Sequence, residues 1–276
     1  MKQRGIAAAL LLLAAALLLL AAEPARAQSV ASLDSLTGEQ IYARVIEHRL
    51  RSFSEESRLI SADRTGREQE TRLRMHWKDF RDERGEPRDG VLSKAVVRYT
   101  HPTDIRFAGY LVQANAGRES DQFVYYPSRR RVARVSLRNE AVHGTDFSLE
   151  DVIPRELEDA SYERQDDAEF RGLAVFVVEL VPHAKAGSAY SKVWVYVDRD
   201  RFVPLRTRYW DAAGVETKQL EADPATLRRF EDVWVPMQTT MRNLLLETRT
   251  TLVITDFVPN PELAESVFDL AHLESH

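Results

Sequence analysis

The apolar residues of this chain fall into three successive patterns. An unbroken apolar run covers Ile6 to Ala22, behind a short basic start (Met1 to Arg4) and ahead of Pro24 and the tripeptide Ala25-Arg26-Ala27. That order predicts a secretory signal over residues 1–27, cleaved before Gln28, and leaves a mature domain of 28–276. An uncleaved anchor of similar length is the rival reading; the small-x-small site and the lack of a basic stop-transfer flank favour cleavage. Residues 28–36 are small and polar and read as a leader. A helical pattern follows, with Ile41, Val45 and Ile46 on one face. Thr37 and Gln40 are spaced as a capping box, so the sequence predicts a helix over 38–50.

From residue 52 the period changes to two. Strands are predicted at 52–61 and 67–78 around the turn signal Asp63-Arg64-Thr65-Gly66, then at 91–100, 106–114, 121–127 and 130–137. Gly144 and the stretch Asp146 to Val152 interrupt this rhythm with a short helical pattern. Strands resume at 159–166, 170–182, 190–198, 202–211, 215–222, 228–234, 235–243 and 249–258, and Asp166-Asp167 read as turn residues ahead of Gly172. A short apolar tail with Leu263, Val267 and Phe268 follows Pro259-Asn260-Pro261. No repeat or linker divides the domain. Several strands are apolar on both faces: Phe176, Val178 and Leu180 stand against Val175, Val177 and Val181, and Trp194 and Tyr196 against Val193, Val195 and Val197. An antiparallel sheet usually leaves one face wet. These strands need cover on both, which a curled, partly open barrel holding a helix or ligand satisfies. A two-sheet sandwich satisfies it equally.

Composition removes whole classes of chemistry. The chain has no Cys, which excludes disulfides, thiolate metal sites, a cysteine nucleophile and an acylated N-terminal Cys. Lys2, Arg4 and Arg26 leave with the signal against Glu23, so the full-chain net charge of −5 becomes −7 in the mature domain, the wrong sign for nucleic acid. No glycine pair suits a dinucleotide or Walker loop, and neither GxSxG nor HExxH occurs. His143, Asp146, Glu150 and Asp151 form one cluster that could hold a metal or do acid–base work. Without a second histidine at ligand spacing it reads more simply as a loop in which Asp146 caps a short helix. The basic run Arg129, Arg130 and Arg131 sits on a hairpin and is the candidate for docking a partner; its bland reading is a solvated turn. No catalytic residue, metal or cofactor is predicted, and the chain reads as a non-enzyme.

Several segments together resemble the periplasmic lipoprotein-sorting, or LolA-like, carriers. They include Thr37 to Ile41, Leu73 to Trp77, Tyr99 to Gly109, Asp121 to Pro127, Gly144 to Asp151, Ala189 to Lys192, Trp194 to Asp198, Pro204-Leu205 and Trp234 to Pro236. The resemblance implies a mostly β fold: an unclosed antiparallel β-barrel of about eleven or twelve strands with an N-terminal helix and a helical lid that includes Gly144 to Val152. It implies a monomeric periplasmic carrier in a Gram-negative cell, burying acyl chains of a lipid or lipoprotein between inner and outer membranes. An RND-type inner-membrane transporter and an outer-membrane acceptor would be its partners. Trp77, Phe107, Leu111, Phe123, Tyr125, Phe147, Phe176 and Trp194 are then the cleft and lid candidates. The alternative is a non-enzymatic accessory subunit of such a transporter. Lipoprotein carriers proper have an Arg-Pro step whose arginine bonds the lid; here the step is His101-Pro102, and Arg98 or Arg106 are the nearby substitutes.

Overall fold

The computed structural model describes residues 32–136, 144–152 and 155–275. The signal-peptide reading of 1–27, the leader up to residue 31 and His143 lie outside these residues. The chain divides into Met1–Leu36 and Thr37–His276. Of the first unit, residues 32–36 are described: a single 3-10 turn, Leu33–Ser35, whose Asp34 N–H donates to the Ser32 hydroxyl at 3.3 Å. Among the described residues no helix is long and apolar enough to cross a membrane.

The described residues of Thr37–His276 form fifteen strands. They are β1 (Ser52–Ala62), β2 (Glu68–Asp79), β3 (Val91–His101), β4 (Gly109–Asn115), β5 (Asp121–Tyr126), β6 (Arg131–Val135), β7 (Ala160–Phe170) and β8 (Leu173–Pro182). Then follow β9 (Lys192–Asp198), β10 (Pro204–Trp210), β11 (Glu216–Ala222), β12 (Leu227–Phe230), β13 (Val233–Pro236), β14 (Gln238–Asn243) and β15 (Thr248–Pro259). Thirteen of them make one antiparallel sheet in the order β6-β5-β4-β3-β2-β1-β15-β14-β11-β10-β9-β8-β7. The end strands β6 and β7 do not pair, so the barrel is unclosed. The connection between those two edges carries the helix α2 (Leu149–Val152).

Two sequence readings are corrected here. Asp166 and Asp167 do not make a turn: β7 runs through them with a register shift between Gln165 and Ala168, and the chain reverses at Arg171-Gly172 instead. Both of those residues have positive φ, 50° and 81°, which suits the two-residue hairpin turn whose twist matches its strands. The predicted strands 228–234 and 235–243 are three strands, because the chain turns at Glu231-Asp232 with Glu231 at φ 53°. The separate β12–β13 hairpin this creates packs Leu227 and Trp234 against Phe170, Val175, Val203 and Leu205 at one end of the sheet.

The two faces of the sheet are covered differently, which accounts for strands apolar on both sides. The inner face meets helix α1 (Gly38–Glu47) and residues 144–152. α1 begins with the predicted capping box: the Gln40 N–H donates to the Thr37 hydroxyl at 3.2 Å and the Thr37 N–H to Gln40 Oε1 at 3.0 Å. Its first turn lies flat on β7, where a Cβ on Gly38 would sit 2.7 Å from backbone atoms of Glu163 and Arg164. Ile41 is fully buried, Tyr42 stacks on Tyr162 at 4.8 Å, and Arg44 lies over the Phe202 ring. The outer face of β3 to β6 is covered by the chain's last segment, a 3-10 turn (Glu265–Phe268) and helix α3 (Leu270–Glu274). Phe268 and Leu273 bury themselves there against Phe80, Val96, Leu111 and Tyr125.

Candidate functional site

Following the register from strand to strand traces the inner face. Val178 pairs with Val195, Val195 with Thr207, Thr207 with Leu220, Leu220 with Met241, Met241 with Thr250, and Thr250 with Ser61. Alternation then places Phe176, Leu180, Val193, Val197 and Tyr209 on the same side at one end, and Leu59, Leu73, Met75 and Trp77 at the other. Most of these are apolar, and Phe176, Val178 and Val197 are wholly buried.

The segment 144–152 lies on this surface and is held there by three carboxylates. Asp146 accepts from the Thr250 hydroxyl at 2.7 Å and from the Thr248 hydroxyl, while its own N–H donates to Thr250 Oγ1 at 3.0 Å. Glu150 accepts from Arg155 at 2.7 Å, from the Ala189 N–H at 2.9 Å and from the Ser188 hydroxyl. Asp151, whose side chain is 0 % exposed, accepts from Tyr190 at 2.6 Å, Lys218 at 2.9 Å and both the N–H and hydroxyl of Ser148 at 2.8 Å. Burial, and next the Asp151 charge, push the Tyr190 hydroxyl well above its ordinary range, so it stays protonated and donates. The acidic cluster noted in the sequence is therefore a set of latches joining the segment to β11, β15 and the loop before β9. Phe147 and Leu149, between the latches, are buried.

The sequence candidates divide between the two faces. Trp77 and Phe176 share the inner face; Trp77 stacks on Phe53 at 5.5 Å and Phe176 on Phe202 at 6.0 Å. Phe147 is in the latched segment. Leu111 and Phe123 pair with each other on the opposite side from Trp77, and with Tyr125 they lie beneath the final segment of the chain. Trp194 is also on the outer face, where its indole donates to Glu179 at 2.5 Å and its ring meets Trp210. Phe107 is on the β3–β4 turn with φ 70° and Arg106 over its ring. Arg98, weighed as a substitute lid lock, holds a different element. Its guanidinium donates to the carbonyls of Leu273 at 2.8 Å, His272 at 3.0 Å, Ser275 at 3.1 Å and Phe107 at 3.1 Å. The first three are carbonyls of the last turn of α3 and the residue after it, and the fourth is on the β3–β4 turn, so Arg98 caps the C-terminal helix on the outer face and ties it to that turn.

A family model described as "Uncharacterized protein" matches residues 92–275. The chain belongs to that family. No curated protein matches its sequence. Among solved structures, a domain named for outer-membrane lipoprotein sorting from Vibrio parahaemolyticus aligns with a TM-score of 0.77 at 22% identity, covering 88% of this chain and 100% of that one. A DUF1329 family protein from Desulfovibrio piger aligns at 0.79 and 18% identity over 86% and 97% of the two chains. A LolA superfamily protein from Nitrosomonas europaea gives 0.66 at 17% identity over 86% and 100%. The fold is thus the LolA-like open barrel. The family match takes in the latched segment, every strand from β4 to β15 and the Arg98 clamp.

Two exposed features lie on turns between strands. Arg129, Arg130 and Arg131 are exposed at the β5–β6 turn, and among the described residues no carboxylate pairs with them; Arg129 lies over the Tyr126 ring. Leu244, Leu245 and Leu246 form the β14–β15 turn, with Leu245 61% and Leu246 63% exposed. The turn leads into β15, whose Thr248 and Thr250 latch Asp146. The arginine run is a docking candidate already in the sequence, whereas the three leucines between Asn243 and Glu247 are visible there without a period that marks them as a site.

Proposed function

We propose that the protein is a non-enzymatic carrier that binds acyl chains of a lipid or lipoprotein on the inner face of its open barrel. The observation that carries this reading is an apolar sheet face covered by a nine-residue segment whose hold is largely polar. When that segment swings away, its carboxylates and their partners regain water, so the net loss per hydrogen bond is about 1 kcal/mol. The uncovered face gains about 0.8 kcal/mol for each acyl CH₂ it takes from water, so about ten methylenes return ~8 kcal/mol. Chain length alone can therefore drive the exchange, with no catalytic group needed. Trp77, Phe147 and Phe176 are the sequence candidates that such a chain would meet. The name of the Vibrio relative, a lipoprotein-sorting domain, agrees with this use of the fold. Export by the 1–27 segment would place the carrier in the periplasm, moving cargo between inner and outer membranes, with Leu244 to Leu246 meeting the lipid surface.

The exposed Arg129, Arg130 and Arg131, with no carboxylate partner among the described residues, favour a second reading, an accessory subunit docked on an RND-type inner-membrane transporter. Mass spectrometry of organic extracts, from protein purified gently out of the native periplasm, separates the two. A stoichiometric acylated species is expected for the carrier. An empty extract, together with no uptake of a fluorescent fatty acid by the purified protein, leaves the accessory role.

A further inference from the structure

Adjacent acids on β1 have opposite fates. Glu56 points outward, is exposed, and pairs with Arg74 at 2.6 Å. Glu55 points to the inner face and is 9% exposed. Its cross-strand partners there are Phe257 on β15 and Met75 on β2, and Phe53 and Ser57 flank it along its own strand. Among the described residues the one hydrogen bond to its carboxylate comes from the Ser57 hydroxyl, at 3.1 Å. The other buried carboxylates are better served. Asp146 and Glu150 are latched as described, and Asp198 accepts from Arg201 at 2.9 Å and from two backbone N–H groups. A buried carboxylate without a cation is costly, and nothing in the local packing requires one at this position.

Beside Glu55 runs a row of aromatic rings. Phe53 stacks on Trp77 and on Phe257, each at 5.5 Å, and Phe257 meets Phe230 of the β12–β13 hairpin at 4.7 Å. Phe53, Phe230 and Phe257 are partly exposed, whereas Trp77 is buried, so the row leads from the surface to the acid. Aromatic faces and a carboxylate attract the same species, a cation shed of its water. We infer that Glu55 with Phe53, Trp77, Phe230 and Phe257 forms a headgroup site for an ammonium-bearing amphiphile. This rests on the acyl-carrier reading for the chain but not for the headgroup. A methylated ammonium suits the place because its methyls pack on rings while its charge answers the carboxylate. An anionic headgroup would be repelled. Burial, partly offset by the Ser57 hydroxyl, pushes the Glu55 carboxyl up to about 7. Near neutrality it is thus only partly ionised, and a bound cation would complete the ionisation and release the proton to solvent.

The test is calorimetric titration of the mature protein with dodecyltrimethylammonium, dodecanol and tetramethylammonium, each below micelle formation. The wild type should bind dodecyltrimethylammonium roughly tenfold or more tightly than dodecanol. Glu55→Gln should erase that preference while leaving dodecanol unchanged, and Phe257→Leu should reduce it. Equal affinity of the wild type for the two amphiphiles, or a preference that survives Glu55→Gln, overturns the headgroup site. If dodecanol fails to bind but tetramethylammonium binds in a Glu55-dependent way, the headgroup site stands and the acyl-carrier reading falls. If none of the three binds, both fall.

Discussion

Replacing Glu55 by Gln should make the protein more stable, and more so as the pH rises. In the folded chain burial lifts the Glu55 carboxyl from 4.5 to about 7, so the folded state holds its proton where the unfolded state has lost it. The sign follows from the linkage between proton binding and folding. The contribution is fully present below about pH 4.5 and is lost as pH rises through about 7, because the folded state must then carry a buried charge. A shift of about two and a half units corresponds to ~3 kcal/mol at pH 8 and above. Gln has the shape of the protonated acid and no charge to bury, so its stability escapes this loss. Urea denaturation followed by tryptophan fluorescence, at about pH 4.5, 6 and 8, should show the two proteins nearly equal at the lowest pH. At the highest the variant should lead by up to ~3 kcal/mol, or several degrees in Tm. The other titrating groups cancel in the difference between the curves. Parallel curves, or a variant less stable at pH 8, would refute the claim that Glu55 is buried without a countercharge.

Arg98→Met removes three hydrogen bonds to carbonyls that close α3 and a fourth to Phe107, and should cost ~2–3 kcal/mol and expose the tail after Asp269 to proteolysis; a tail left intact by limited chymotrypsin, which can cut after Leu270 and Leu273, would contradict the clamp. Leu245→Ser with Leu246→Ser should leave stability within ~0.5 kcal/mol, because both are surface residues, and should weaken sedimentation with phospholipid vesicles roughly tenfold. Unchanged vesicle binding would detach that turn from the carrier reading.

The strands were legible because period two runs along most of them, but that pattern suits a sandwich as well, and the open barrel was implied by the resemblance to the LolA-like carriers; the capping box of Thr37 and Gln40 marks the one long helix among the described residues. The misread turns had physical causes. Glu231 takes a positive φ without being glycine, so nothing in the sequence announces the β12–β13 reversal. Asp166-Asp167 carry turn chemistry but sit in a bulge, which uses the same residue types to bend a strand that continues. The division of faces was beyond reach for a different reason. When both sides of a strand are apolar, the pattern does not say whether Leu111 or Val112 faces inward, and a one-residue choice inverts the answer. The outer cover is two short turns, Glu265–Phe268 and Leu270–Glu274, too brief to show a helical period. Glu55 hid in plain view: Ser54-Glu55-Glu56-Ser57 looks like a wet strand, and only the register shows that every second residue of it is indoors.

The two covers of the sheet differ in what their removal costs, and that difference points to the inner face as the working one. The outer cover is held by Phe268 and Leu273, 2% and 0% exposed, whose apolar surface has no substitute partner in water. Displacing them forfeits about 1.5–3 kcal/mol each before Arg98 is counted. The inner cover also buries apolar groups, Phe147 and Leu149, but an incoming acyl chain replaces these methylene for methylene. Its remaining hold comes from Asp146, Glu150 and Asp151, and carboxylates are the groups best compensated by water once released. A lid fastened by apolar contacts would compete with the cargo for the same free energy. A lid fastened by buried carboxylates stays shut over an empty face and yields to a ligand whose gain is hydrophobic. Glu55 fits the same logic. It lowers the stability of the empty protein without a structural return, and such a cost is understandable where a ligand supplies the missing charge.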